Sequence, residues 1–166
     1  MKKIVSAILS FIFLFSIHVN ATEKLSIEKQ LVGVVGAISG TVKTETRELK
    51  AGDQIYLNET IYAGPGSGTQ ILLLDQSTFT VGEDSEVVMD TFVFDPETND
   101  GKIVASVKQG SLKVISGLIS KKNPDSLTVE VPEGTLGSRG TEFQTIVSKG
   151  KTDTLLIGPG KNNTLG

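Results

Sequence analysis

The sequence predicts an all-β fold, either a two-sheet sandwich or a short β-roll of about a dozen short, mainly antiparallel strands. From Leu31 onward, short runs rich in Val, Ile, Thr and Phe alternate with turn residues, at the spacing typical of sandwiches and barrels. No window of a dozen residues has the i, i+3, i+4, i+7 apolar pattern of an amphipathic helix. Most connections are too short to hold crossover helices, which favours antiparallel pairing.

Five segments have apolar residues at every second position, the period that buries one face of a strand. These residues are Phe79 and Val81; Phe92 and Phe94; Ile103, Ala105 and Val107; Leu112 and Val114; and Leu127, Val129 and Val131. The run Ile71–Leu74 is continuously apolar instead and predicts a strand covered on both faces. One turn around Ile115–Lys121 is the only helix that we expect.

The N-terminus has the three parts of a secretory signal peptide. Lys2 and Lys3 precede the apolar run Ile4–Val19, and the small residues that follow predict cleavage after Ala21. The run is shorter than the ~20 apolar residues that a bilayer requires. We therefore expect a periplasmic or secreted protein without stable membrane insertion after cleavage.

The rest of the chain is predicted to form one domain, 31–150. Residues 22–30 lack an apolar period and are predicted to be a leader between this domain and the signal peptide, 1–21. Residues 151–166 are predicted to form a C-terminal strand and a loose tail. The free edge of that strand could pair with another chain.

Composition argues against several function classes. Cleavage would remove Lys2, Lys3 and the only histidine, His18, so that 14 basic residues face 19 acidic ones and the net charge is −5. An acidic domain with two arginines has no basic stripe for nucleic acid. Without Cys or His, the mature chain can assemble neither a Ser-His nor a Cys-His nucleophile.

Other catalytic interpretations have weak support. Ser26–Lys29 has Ser-x-x-Lys spacing, but it lies in the leader and no Ser-Asp-Asn or Lys-Thr-Gly motif follows. Asp84 with Glu86, or Asp90 with Asp95, could form an acid–base pair, but their positions beside turns favour solvated carboxylates. We therefore predict that the protein is not an enzyme.

Two loops resemble ligand-binding motifs only in part. Gly64–Gly68 precedes an apolar run but lacks the Lys-Ser or Lys-Thr of a phosphate loop, so it is predicted to be a turn. Asp95–Gly101 places oxygen ligands at alternate positions, as calcium loops do. Its glycine comes one place late and Ser106 stands where the bidentate Glu should be, which favours a hairpin loop. We predict no metal and no cofactor.

The most distinctive stretch ends in Gly137-Ser138-Arg139-Gly140-Thr141-Glu142-Phe143. With four other segments it resembles the FecR domain, named for a bacterial iron-citrate sensor. These segments are Gly33–Val42, Leu49–Asp53, Leu74–Thr78 and Gln109–Ser111. Phe92–Pro96, Ser116–Lys121 and Asn123–Asp125 further resemble free-standing exported FecR-like proteins. The resemblance covers roughly Leu31–Lys149.

The resemblance implies a role in the bacterial cell envelope. Sensor-type members have a cytoplasmic anti-sigma segment and a transmembrane helix, whereas here a signal peptide precedes the domain. We expect a protein-interaction or ligand-binding module, or alternatively a component of a surface-signalling system that docks on a regulator or an outer-membrane receptor. Protein partners are favoured, since the chain has no Trp and only two Tyr for sugar stacking, but a polysaccharide ligand stays open.

Within the motif, Gly137, Arg139, Gly140, Thr141 and Phe143 are predicted to be structural. The two glycines can adopt backbone angles closed to other residues, and Phe143 is expected to enter the core. Arg139 is expected to be a buried brace that binds a carboxylate or turn carbonyls. The alternative is an exposed Arg139 that anchors an acidic ligand or partner.

Overall fold

A computed structural model describes residues 29–138 and 141–159, and it confirms the all-β prediction. One short helix, α1 (Leu118–Lys122), lies where a helical turn is expected, and a single 3-10 turn follows at Pro124–Ser126. The strands are β1 (Leu31–Ser39), β2 (Val42–Lys43), β3 (Gln54–Tyr56), β4 (Thr60–Ala63), β5 (Gly68–Leu73), β6 (Thr78–Val81), β7 (Ser85–Phe94), β8 (Gly101–Ile115), β9 (Leu127–Val131), β10 (Gly134–Ser138), β11 (Thr141–Ser148) and β12 (Lys151–Pro159).

The strands form two sheets that share the long strand β8. The first sheet has the order β3-β1-β5-β6-β8-β11-β12, and the second has the order β2-β4-β7-β8-β9-β10. Neighbouring strands are antiparallel except β8 and β9, which are parallel. The shared strand joins the two sheets into one curled unit, in agreement with the predicted roll.

Strand β8 passes from one sheet to the other at Gly110. Up to Gln109 it pairs with β7, and from Gly110 onward it pairs with β11. Gly110 has a φ of +82°, and a Cβ atom there would lie 2.4 Å from the Cα of Ser85. Only glycine fits both the backbone angle and the close approach, so this residue allows the strand to serve both sheets.

The inner faces of the two sheets and α1 form one apolar core. Phe79, Met89, Ile103 and Leu127 contribute large buried side chains, and Ile119 adds one from α1. Phe143 is only 4% exposed, as predicted. The alternation of apolar residues in the sequence therefore identifies the core face correctly.

The prediction that the strand at Ile71–Leu74 is covered on both faces is wrong. Ile71 and Leu73 are buried, but Leu72 and Leu74 are 42% and 47% exposed. The first sheet buries only its inner face at this place, so a continuous apolar run here still alternates between core and solvent. The turn predicted at Gly64–Gly68 is confirmed, as is the hairpin loop between β7 and β8.

Candidate functional site

Strand β12 lies at the edge of the first sheet and is the candidate interaction site. Among the described residues it pairs with β11 alone. Every second residue of an edge strand directs its N–H and C=O groups away from its neighbour, where another strand can bind them. We call Lys151–Pro159 the β12 edge.

The centre of the β12 edge is apolar and exposed. Leu155, Leu156 and Ile157 are 63%, 66% and 43% exposed, and Ile146 of β11 is 46% exposed. The charged residues of this strand, Lys151 and Asp153, lie toward its start and form an ion pair of 3.1 Å. An uncharged stretch with exposed apolar side chains favours a partner segment that is also apolar.

The register explains why these side chains are exposed. Leu156 lies directly opposite Phe143, so the two side chains point to the same side of the sheet. Phe143 is 4% exposed and Leu156 is 66% exposed. The core therefore ends at β11, and β12 extends beyond it.

The hairpin turn holds β12 firmly against β11. Lys149 and Gly150 connect the two strands, with φ values of +50° and +72°, as in the two-residue turns that match the twist of a hairpin. The pairing begins with Ser148 opposite Lys151 and continues to Thr141 opposite Pro159. The hydroxyl of Thr152 also donates a hydrogen bond to the Glu133 carboxylate, in the turn between β9 and β10.

The FecR-like motif lies partly in the described residues. Gly137 is an exposed residue of β10 without a left-handed φ, and a Cβ atom would meet nothing within 4 Å. Thr141 begins β11 opposite Pro159. Arg139 and Gly140 lie outside the described residues, as does Ala21 at the predicted cleavage site, and their roles stay predictions.

The carboxylates considered as acid–base pairs lie at exposed or half-buried positions. Asp84, Asp90 and Asp95 are exposed, and Glu86 is half-buried. The Asp95 carboxylate accepts hydrogen bonds from the Thr98 hydroxyl at 2.8 Å and the Glu97 amide at 2.9 Å. These bonds, chiefly that from Thr98, lower the pKa of Asp95, so this carboxylate stabilises the loop between β7 and β8.

Two polar clusters join distant parts of the fold, and sequence reasoning missed both. In the first, the Arg47 guanidinium contacts both oxygens of Glu59, at 2.7 and 3.1 Å. Glu59 also accepts a hydrogen bond from the Tyr56 amide. The Arg47 guanidinium lies 5.8 Å from the Tyr56 ring centre and Lys29 lies 5.6 Å from it. This cluster fixes the turn between β3 and β4.

In the second cluster, Asp75 and Ser77 of the β5–β6 turn are fully buried. The Asp75 carboxylate accepts hydrogen bonds from the Ser77 amide at 3.0 Å and the Ser77 hydroxyl at 2.8 Å. The Ser77 hydroxyl in turn accepts one from the Gly117 amide at 2.9 Å. The sequence signal was only Asp-Gln-Ser at a turn, which does not show the partner forty positions later.

Within the described residues, no group of His, Asp or Glu side chains has an arrangement that could hold a metal ion. No helix in this part of the chain is long and apolar enough to cross a membrane.

Comparison with known proteins identifies the family. Residues 59–157 match the family model described as FecR protein. No curated protein and no solved structure matches the chain significantly. The matched segment begins just before β4 and includes most of β12. Because this segment covers more than half of the chain, the protein belongs to the FecR family, a signalling and regulatory family known from surface-signalling regulators.

Proposed function

We propose that this protein is an exported, non-enzymatic FecR-domain module that binds another cell-envelope protein along the β12 edge. The observation that carries the proposal is the exposed Leu155-Leu156-Ile157 segment, on a strand whose second edge has no partner among the described residues. The partner supplies an extended segment that adds a strand beside β12. Main-chain hydrogen bonds provide affinity, and the exposed apolar side chains provide selectivity.

Within the described residues β12 lacks the usual edge protection, which supports this proposal. Proteins commonly shield edge strands with central charges, prolines or very short length, because a free edge promotes aggregation. Strand β12 has nine residues, and its charged residues and Pro159 lie toward its two ends. A long unprotected apolar edge in a natural protein is consistent with a surface that a partner covers.

Export is supported by the sequence of the first 21 residues, which lie outside the described part of the chain. Their basic start, apolar run and small-residue end are typical of a cleaved signal peptide. In the periplasm or outside the cell, the β12 edge would meet envelope proteins.

A second candidate function is surface signalling, which the FecR family match favours. In this case the partner is a transmembrane regulator or an outer-membrane receptor. The identity of the partner therefore separates a signalling component from a general envelope module.

The experiment is photo-crosslinking in the native host. A photoreactive amino acid replaces Leu155 in the full-length protein, and mass spectrometry identifies the crosslinked peptide. A matched control places the same group at Val93, which is 58% exposed on β7 of the other sheet. We expect Leu155, but not Val93, to crosslink to one short segment of one envelope protein.

A second variant tests the edge itself. Leu156→Lys introduces a charge into the apolar centre of β12 and should reduce crosslinking from position 155 at least tenfold. The control variant Val93→Lys should leave crosslinking from position 155 unchanged. Equal crosslinking from positions 155 and 93, or no loss with Leu156→Lys, would show that β12 is not the docking site.

A further inference from the structure

We propose a second binding site, on the outer face of the second sheet, that takes a neutral, linear oligosaccharide across the ring of Tyr62. The site is independent of the β12 edge, which lies on the other sheet. We call it the Tyr62 groove.

The strand register aligns the residues of this site. Lys43 of β2 lies opposite Tyr62 of β4, Tyr62 lies opposite Glu86 of β7, and Glu86 lies opposite Gln109 of β8. Residues directly opposite one another in antiparallel strands project from the same face. The four side chains therefore form one row across the second sheet, with the aromatic ring inside the row.

Two grooves meet at Tyr62. One has a volume of about 540 Å³ and is lined by residues that include Glu45, Arg47 and Glu48. The other has a volume of about 430 Å³ and is lined by residues that include Asp84, Glu86 and Gln109. Each lies within the usual size range of ligand sites. Both are also lined by Thr41, Lys43 and Tyr62, so a chain-like ligand can occupy both by crossing the tyrosine.

Tyr62 has no competing partner among the described residues, whereas the other tyrosine does. The Tyr56 hydroxyl donates a hydrogen bond to Gln54 at 2.5 Å, and its ring contacts the cationic groups of Lys29 and Arg47. Tyr62 makes no such ring or hydroxyl contact in the described part of the chain. A tyrosine provides an apolar ring face and a polar hydroxyl, the combination that stacks on a sugar and binds its hydroxyl groups.

The charges around Tyr62 select the class of ligand. Lys43 and Arg47 are outnumbered by the four carboxylates Glu45, Glu48, Asp84 and Glu86, which disfavours an anionic polymer. Arg47 is already bound to Glu59, and Glu45 accepts a hydrogen bond from the Thr60 amide. The Lys43 ammonium and the Tyr62 hydroxyl provide donors, and the carboxylates of Glu48, Asp84 and Glu86 provide acceptors, as a hydroxyl-rich ligand requires. An open groove with so many charged side chains would bind an apolar ligand poorly, because burial would leave these groups without partners.

The test is a titration of the ¹⁵N-labelled, exported protein with neutral tetrasaccharides, followed by NMR. The probes are β-1,4-linked N-acetylglucosamine, β-1,4-linked glucose and α-1,4-linked glucose. At millimolar concentration, we expect at least one probe to shift the amide signals of Lys43, Tyr62 and Gln109. No shift of these signals with any of the three probes would overturn the proposal.

Variants separate stacking from other effects. Tyr62→Ala should weaken binding of the active probe at least tenfold, and Tyr62→Phe, which keeps the ring, should weaken it less than threefold. Leu156→Lys should leave sugar binding unchanged, so the test does not depend on protein docking at β12. Unchanged binding in Tyr62→Ala, with the folded NMR spectrum retained, would contradict the assigned site.

Discussion

Two hairpins of the first sheet differ in how their turns are packed and in how far their apolar side chains are exposed. The β5–β6 hairpin buries two polar residues of its turn, Asp75 and Ser77, both 0% exposed, while Gln76 between them is exposed. The β11–β12 hairpin has an exposed turn, and its second strand leaves Leu155 and Leu156 more than 60% exposed. The β5–β6 turn is therefore anchored in the protein interior, whereas the β11–β12 turn is not. Leu155 and Leu156 are also more exposed than Leu72 and Leu74 of the first hairpin, which are 42% and 47% exposed.

The comparison separates structural residues from candidate binding residues. At the β5–β6 hairpin, polar burial is compensated, because no buried side-chain nitrogen or oxygen of the described residues lacks a hydrogen-bond partner. At the β12 edge, no other part of the described chain covers the exposed apolar surface. We infer that the first hairpin stabilises the fold and that the second contributes mainly to binding.

The largest expected effect is that of Gly117→Ala, which should disrupt the contact between α1 and the β5–β6 turn. A Cβ atom at Gly117 would lie 2.3 Å from the Asp75 carbonyl oxygen and 2.3 Å from the Ser77 amide nitrogen. Backbone atoms cannot move aside easily, so we expect a loss of about 3 kcal/mol in the free energy of unfolding. Urea denaturation measures it.

The matched control for this variant is Gly134→Ala, since a Cβ atom there meets nothing within 4 Å. Its effect should be below about 0.5 kcal/mol. Equal stability of the two variants would show that the close approach at Gly117 is not a structural requirement.

The next largest effect is expected for Asp75→Ala. Loss of the carboxylate leaves the Ser77 amide buried without its acceptor, which should cost about 2 kcal/mol. A double-mutant cycle with Ser77→Ala should give a coupling energy of about 1 kcal/mol. Asp53→Ala is the control, because its bond to the Lys50 amide is exposed. A cycle without coupling would contradict the proposed cluster.

A smaller, pH-dependent effect is expected at the β7–β8 hairpin. Hydrogen bonds from Thr98 and the Glu97 amide lower the pKa of Asp95 below its ordinary value of 3.8. Because the folded-state pKa is the lower one, the stabilisation is present above about pH 4 and is lost as the pH falls through the folded-state value. Thermal melts should therefore show a difference between the native protein and Asp95→Asn at pH 6 that decreases as the pH falls below about 4. A difference in melting temperature that does not change as the pH is lowered would refute this explanation.

The smallest effect on stability is expected for Leu156→Ala, at most about 0.5 kcal/mol, because this side chain is already exposed. The contrasting control is Phe143→Ala, directly opposite and buried, which should cost about 3 kcal/mol, as much as Gly117→Ala. Urea denaturation compares the two. A large loss at Leu156 would mean that β12 contributes to the core, which would weaken its assignment as a binding edge.

The sequence predicts most of the strands, because alternation is a local property. Phe79 with Val81 and Leu127 with Val129 identify their buried faces without any knowledge of their neighbours. The run Ile71–Leu74 is misleading for the same reason: four apolar residues do not reveal whether a second layer covers the sheet. The sharing of β8 by two sheets depends on the register between strands that are distant in sequence. The need for glycine at position 110 becomes clear only when the fold places Ser85 beside it.

The candidate site was only partly predictable. A C-terminal strand follows from the sequence around Asp153–Ile157 and is found as β12, which pairs with β11 alone among the described residues. The apolar side chains of β12 are exposed because the core ends at Phe143 on the neighbouring strand. No local pattern in the sequence shows where the core ends. The contacts of Arg47 with Glu59 and of Ser77 with Gly117 join residues that are 12 and 40 positions apart. They could therefore be identified only from the three-dimensional structure.

The most direct test of the central claim is amide hydrogen exchange of the protein alone and bound to the partner identified by crosslinking at Leu155. If the partner adds a strand, the outward amides of Lys151–Pro159 should exchange at least tenfold more slowly in the complex. Unchanged exchange in β12, with protection elsewhere on the protein, would contradict binding along the β12 edge.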